Sequence, residues 1–220
     1  MCVFHLPYTT KLIWDPITDL SYVLKVTGYA FVLLVPADSP LRTWMHFVGW
    51  AKANPRKVSD RSTGSMISPH QMVELIAQKL GLKLLHVPCR GSADLMQSIL
   101  GDFIIATSDS TGYAPQVDAG KLRVLNTLGV ERLSKFSDAP TLRELGLDLV
   151  QNSPFAIAAL RGTSPAVIIR LHDGFKQAMD MQSYKTALSG YEIEPTYISS
   201  AAYLKFAQDT TRRWLKSWAC

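Results

Sequence analysis

From residue 29 onward, short apolar runs alternate with stretches in which apolar residues recur every three or four positions. That rhythm predicts βα units around a largely parallel sheet, an α/β fold rather than an all-α or all-β one. Tyr29 to Val35 is a continuous apolar run ended by Pro36, the pattern of a strand buried on both faces. Asp38 or Ser39 can then cap a helix with Pro40 in its first turn, carrying Trp44, Phe47, Val48 and Ala51 inward and stopping near Asn54-Pro55. The next helix starts at Ser68-Pro69, sets Met72, Leu75, Ile76 and Leu80 on one stripe, and stops at Gly81. Lys83 to Val87 reads as a strand, Gly91-Ser92 to Gly101 as a helix through Leu95, Met96 and Ile99, and Phe103 to Ala106 as the following strand. Leu122 to Leu125 is a further short strand, and Pro140 to Gly146 one or two helical turns closed by glycine.

After Asn152-Ser153 the pattern changes, which places a domain junction near residues 150 to 154. Phe155 to Leu160 is an apolar strand. Pro165 to Met181 is a long amphipathic helix with Val167, Ile168, Leu171, Phe175 and Met179 inward. A short strand around Tyr197-Ile198 and a helix from Ser200 through Trp214 and Trp218 close the chain.

Composition narrows the class. The 220 residues are 47% hydrophobic and 19% charged, which excludes disorder, collagen-like repeats and a disulfide scaffold. The longest apolar run, Ala30 to Val35, falls far short of the roughly 20 residues that span a bilayer, so no transmembrane helix is expected. The net charge of +5 comes from scattered Lys and Arg, the densest group being Arg212, Arg213 and Lys216 on the last helix. Basic residues interleaved with aromatics, the mark of a nucleic-acid surface, are not seen, and no nucleic-acid partner is expected. The 3 cysteines, Cys2, Cys89 and Cys220, form no CxxC or zinc-knuckle spacing. Met1 to His5 shows no basic region followed by a long apolar stretch, so no signal peptide is readable.

Three turns could bind a ligand. Thr63, Gly64, Ser65 and Ser68 bring hydroxyls and free backbone N–H groups to the start of a helix, a place that favours carboxylate or phosphate. Arg90 and Gly91 do the same at the next strand-to-helix turn and add a permanent cation. Asp109, Ser110 and Thr111 follow a strand and fall on the same edge, where ligands of open parallel sheets bind. For each turn the plain alternative is a capping residue and a glycine that bends the chain. His86 and Cys89 lie three positions apart across Pro88 with no acid partner, so a catalytic pair is not expected. His70 on a helix first turn and His46 on an amphipathic helix read as packing or capping residues rather than metal ligands, His5 and His172 have no companion at metal-ligand spacing, and the chain holds no GxGxxG, P-loop or HExxH motif. No catalytic residue, metal or cofactor is expected, and the chain is not expected to be an enzyme.

Several stretches in order carry a resemblance: Ala51-Lys-Ala-Asn-Pro55, Ser62-Thr-Gly-Ser65 with His70, His86-Val-Pro-Cys-Arg-Gly91, Asp118-Ala-Gly-Lys-Leu-Arg123, Pro140-Thr-Leu-Arg-Glu-Leu-Gly146 and Arg161-Gly-Thr-Ser-Pro165. With them the chain resembles, from about residue 7 to its C-terminus, the solute receptors of tripartite tricarboxylate transporters, the Bug family. The resemblance implies a two-lobed, type II periplasmic-binding-protein fold that holds a small organic carboxylate, or a related amide such as nicotinamide, in a cleft. It also implies hand-over of that solute to the membrane subunits of a tripartite transporter, a periplasmic location, and a monomer if the receptor is complete. By position, residues 1–37 and 153–220 belong to the first lobe and residues 38–152 to the second. Thr63-Gly64-Ser65 and Arg90-Gly91 would then be the second lobe's side of the cleft, bordered by Asp109, Ser110 and Thr111. Cys89 stands where the family usually has an aromatic. The family's first strand and glycine-rich carboxylate loop would precede residue 1, so the expectation is an incomplete first lobe with weakened carboxylate affinity and an exposed sheet edge. A binding-protein-like sensor or effector module for a small organic acid is the alternative.

Overall fold

A computed structural model describes residues 11–62, 68–110, 112–189, 193 and 195–218. The chain forms two compact units, one made of Met1–Tyr29 with Ser153–Cys220, the other of Ala30–Asn152. Residues 30–37, expected in the first lobe, fall in the second unit. The reason is pairing: β2 (Val32–Pro36) lies inside that unit's sheet, between strands β5 (Ala106–Asp109) and β6 (Leu122–Thr127).

The second unit carries a five-stranded sheet of order β4-β3-β5-β2-β6, with β3 at Ser59–Ser62 and β4 at Leu85–Pro88. Strand β3 is parallel to both β4 and β5, while β2 is antiparallel to both its neighbours, so β6 runs with the parallel set. Every residue of β2 is buried. Its even positions, Val32 and Leu34, join Leu95 and Ile99 of α3 (Ser92–Leu100) and Ala114 of α4 (Ala114–Asp118) in one core. Leu33 and Val35 point the other way and are equally buried, so helices or loops cover both faces.

Local chemistry sets the element boundaries. Helix α1 (Trp44–Ala53) starts at Thr43, whose hydroxyl accepts the His46 N–H at 3.2 Å, and not at Asp38 or Ser39. Ser39 instead accepts from the Leu41 N–H within the preceding turn. The buried face of α1 is Trp44, Phe47, Val48 and Ala51. Helix α2 (Ser68–Leu80) stops at Gly81, where φ is +65°. After α3, residues 101–103 close the helix: Gly101 N–H bonds Gln97 O, Phe103 N–H bonds Ser98 O, and Asp102 takes a φ of +58°. That turn leaves Phe103 79% exposed, so the strand expected at Phe103 to Ala106 begins only at Ala106 and runs to Asp109.

Pro140 to Gly146 is a capped turn rather than a helix. Thr141 Oγ1 accepts the Glu144 N–H, and Glu144 Oε2 accepts the Thr141 N–H, a reciprocal capping box. Arg132 binds the same carboxylate through its Nε, and with the Thr141 bonds it pulls the Glu144 carboxyl down to about 2.

The first unit contains a three-stranded sheet of order β7-β1-β8, from Asn152–Leu160, Leu20–Ala30 and Ile198–Ser199. Strand β1 is the main element the sequence pattern missed; Tyr29 and Ala30, expected to open the buried strand, are its last residues. Helices α5 (Pro165–Asp180), α6 (Gln182–Ser189) and α7 (Ser200–Trp218) complete the unit. Val23, Leu24 and Met179 form one core with Ile168, Leu171 and Tyr184 against it, and Tyr22, Tyr203 and Ala207 a second. Val167 and Phe175 of α5, expected inward, are instead 47% and 38% exposed. Among the described residues, no helix is long and apolar enough to cross a membrane.

Candidate functional site

Strands β3, β4 and β5 run in parallel, so their carboxyl ends, Ser62, Pro88 and Asp109, open on one edge of the second unit's sheet. All three turns singled out from sequence leave that edge. Their geometry differs.

Arg90 and Gly91 form the best-defined turn. Gly91 caps α3 with φ +157° and ψ +176°, a conformation open in practice only to glycine, and offers no side chain to the helix N-terminus. The first N–H groups of α3 therefore have no side-chain cap and face the edge. Asp94 turns back to accept the Arg90 N–H at 3.1 Å, which fixes the turn and places one carboxylate in the helix's first turn. The exposed Arg90 guanidinium offsets that charge. Cys89 is buried and sets its Sγ 3.7 Å from Gly91 O, so the thiol is occupied in the same turn.

Asp109 departs from expectation. It is the last residue of β5, in register with Val32, and only 4% exposed, because the strand begins three residues later than its sequence suggests. Its Oδ1 accepts the Ser110 N–H at 2.8 Å, so the pair shapes the end of the strand. Neither residue caps α4, whose N-cap is Tyr113. Thr63, Gly64, Ser65 and Thr111 lie outside the described residues, as does the side chain of Ser68; Ser68 itself is the first residue of α2.

A histidine pair at this edge was not legible from the residue pattern. His70, in the first turn of α2, stacks on His86 of β4 with ring centroids 3.7 Å apart and planes 20° apart. Burial first, and then the neighbouring His70, push His86 down to about 4. Burial also lowers His70, while Glu74, 3.6 Å from its Nε2, pulls it back up. The stack is thus neutral near pH 7. A pairing of residues sixteen positions apart in different elements leaves no periodic trace; only the expectation that α2 follows β3 beside β4 could have suggested it. One face of the His86 ring is thus taken up by His70.

Buried polar residues gather at the same ends of the strands: Thr107 and Ser108 in β5, Asn126 and Thr127 in β6, and Gln71 in α2. Ser108 and Asn126 flank Leu33 in register across β2. A cavity of about 710 Å³ in this unit lies elsewhere, lined by Arg42, Trp44, Arg123, Lys135 and Phe136 around the start of β6 and the end of β2. It is at the opposite ends of the strands from the candidate turns. Among the described residues no group of His, Cys, Asp and Glu could hold a metal ion.

A mixed sheet whose parallel strands end on one edge, in one of two α/β units, is the architecture of the type II periplasmic-binding-protein fold. A crystal structure of a TctC solute-binding protein from Polaromonas superposes with a TM-score of 0.84 at 22% identity, over 97% of this chain and 74% of that one. Two proteins of Rhodopseudomonas palustris share the fold at a TM-score of 0.78: one with adipate, at 23% identity over 93% of this chain and 69% of that one, and MatC with bound malate, at 19% identity over 97% and 74%. The model of the tripartite tricarboxylate transporter family receptor, TctC, matches residues 1–217, and the chain belongs to that family. A UPF0065 protein from the gbd 5' region of Cupriavidus necator is 44% identical over 97% of this chain. The chain spans 65% of the length of that relative.

Proposed function

We propose that the protein is a periplasmic receptor that captures a small carboxylate-bearing solute for the membrane subunits of a tripartite tricarboxylate transporter. The observation that carries this reading is the Arg90-Gly91 turn, which combines a glycine-only backbone, an uncapped helix N-terminus and an exposed guanidinium at the carboxyl ends of parallel strands. Such a turn binds a carboxylate through backbone N–H groups, with Arg90 adding charge. In sheet order β3 and then β5 come next to β4, and the residues that follow them, Thr63, Gly64, Ser65 and Ser68 after β3 and Asp109, Ser110 and Thr111 at the end of β5, complete the proposed edge. The relatives with adipate and malate support a dicarboxylate as the first class to test.

Calorimetry and thermal shift against malate, adipate, a monocarboxylate and nicotinamide test the proposal. A ligand at 100 times its Kd adds about 2.7 kcal/mol to the bound fold, enough for a clear rise in Tm. Arg90→Gln is expected to weaken carboxylate binding about tenfold, the loss of one exposed charged contact. Absence of any shift with every carboxylate, or binding unchanged in Arg90→Gln and Gly91→Val alike, would overturn the assignment of this edge.

A further inference from the structure

A cluster in the first unit has the parts of an activated nucleophile. His172 of α5 places Nδ1 2.9 Å from Asp173 Oδ1 and Nε2 2.9 Å from the Tyr197 hydroxyl, which lies just ahead of β8. An ionised carboxylate only accepts, so Nδ1 carries the ring hydrogen; in the neutral imidazole Nε2 is then the acceptor, and Tyr197 donates its O–H to it. The Lys176 ammonium stands 5.0 Å from the centre of the Tyr197 ring and also reaches Asp180 at 3.7 Å. Tyr197 remains 41% exposed, so a reagent can reach it. Nucleophile, base and orienting carboxylate thus stand in one hydrogen-bonded line.

We propose that Tyr197 is a nucleophilic modification site that accepts an acyl group from an activated acyl donor. In the step, Tyr197 Oη bonds to the acyl carbon and the bond from that carbon to the leaving nitrogen, oxygen or sulfur breaks. The phenolic proton passes to His172 Nε2 and from there to the leaving group. Asp173 keeps the imidazole in the tautomer that can take this proton. A positioned general base contributes roughly 10²–10⁴-fold; at this open, water-screened surface a smaller gain of about tenfold is expected.

The test uses the full chain and N-acetylimidazole at neutral pH, with acetylation mapped by peptide mass spectrometry and N-acetyltyrosinamide as the reference phenol. Tyr197 is expected to acetylate about tenfold faster than the reference, and hydroxylamine is expected to remove the group, as it does for a phenol ester but not for a lysine amide. His172→Phe should return the rate to that of the reference. His172→Gln, which can still hydrogen-bond Tyr197 but cannot take its proton, serves the same purpose if the bulkier change perturbs the fold by circular dichroism. A native rate equal to the reference, a rate unchanged in both His172 variants, or label found on Lys176 alone overturns the proposal.

Discussion

The two units build their interiors differently, although both combine strands with helices. In the second unit a five-stranded sheet is covered on both faces, and Val32, Leu34, Leu95 and Ile99 are all at 0% exposure. In the first, among the described residues, the sheet has three strands, the buried apolar residues form two small clusters, and the exposed apolar side chains of α5 include Val167, Ile169 and Phe175. The candidate turns follow strands of the unit whose central strand is buried on both faces, and a binding edge gains from sitting on regular elements.

Leu95→Ala should produce the largest effect of any single truncation considered, about 3 kcal/mol, because it removes a fully buried side chain from the centre of the second unit's core. Denaturation by urea followed by tryptophan fluorescence and circular dichroism reads this directly. A loss under 1 kcal/mol would mean that the core is looser than its burial implies. In the first unit the most sensitive point should be a glycine. A Cβ at Gly28 of β1 would lie 2.9 Å from Ser153 O and 3.2 Å from Pro154 Cα, both backbone atoms. Gly28→Ala is therefore expected to cost about 2 kcal/mol through strand separation or backbone shift. Equal tolerance of alanine at positions 28 and 49, the latter with open space around it, would contradict the close approach of β1 and β7.

How much could be read in advance divides along the same line. The stripes of α1, α2 and α3 and the glycines that end or begin them were legible, since Gly81, Gly91 and Gly101 mark turns that period and glycine placement both indicate. Strand β5 was displaced because Ala106-Thr-Ser-Asp109 is polar in composition yet buried in the middle of a sheet; burial there follows from the neighbours β3 and β2, which no local window contains. The same displacement turned Asp109 from an expected loop residue into a strand residue. Strand β1 was missed because Leu20 to Ala30 mixes Ser, Lys, Thr and Gly among its apolar positions, so neither alternation nor a continuous run appears. The Arg90-Gly91 turn was legible as a pattern; the stacked His70 and His86 were not, because their contact depends on the pairing of β3 with β4.

Acid titration should distinguish the units by a smaller effect. His86 sits at about 4 in the folded chain against 6.5 for a free imidazole, first through burial and then through His70. Below pH 6.5 the unfolded chain takes up a proton that the folded chain refuses, so stability falls as pH drops toward 4 and levels off once His86 protonates in both states. Because the ring is only partly buried and water screens its charge, the loss is about 1 kcal/mol. His86→Phe should remove this part of the pH dependence from the second unit while leaving that of the first unchanged. A profile identical to that of the unsubstituted chain would show that the stack does not govern acid stability.

The smallest effect belongs to the exposed face of α5. Val167 follows Ser164, whose hydroxyl accepts the Val167 N–H, and the helix start is held by that cap and by Pro165 rather than by the valine side chain. With 47% of its surface already in water, Val167 has little apolar area to lose, so Val167→Ser should change stability by no more than about 0.5 kcal/mol. Ser164→Ala, one turn away and polar, should cost more, about 1 kcal/mol, by removing the cap. That order, a serine-to-alanine change outweighing a valine-to-serine change, is the reverse of what the second unit's core would give. If Val167→Ser proved the more damaging of the two in urea denaturation, Val167 would be packed rather than exposed, and the contrast between a deep interior in one unit and a shallow one in the other would fail.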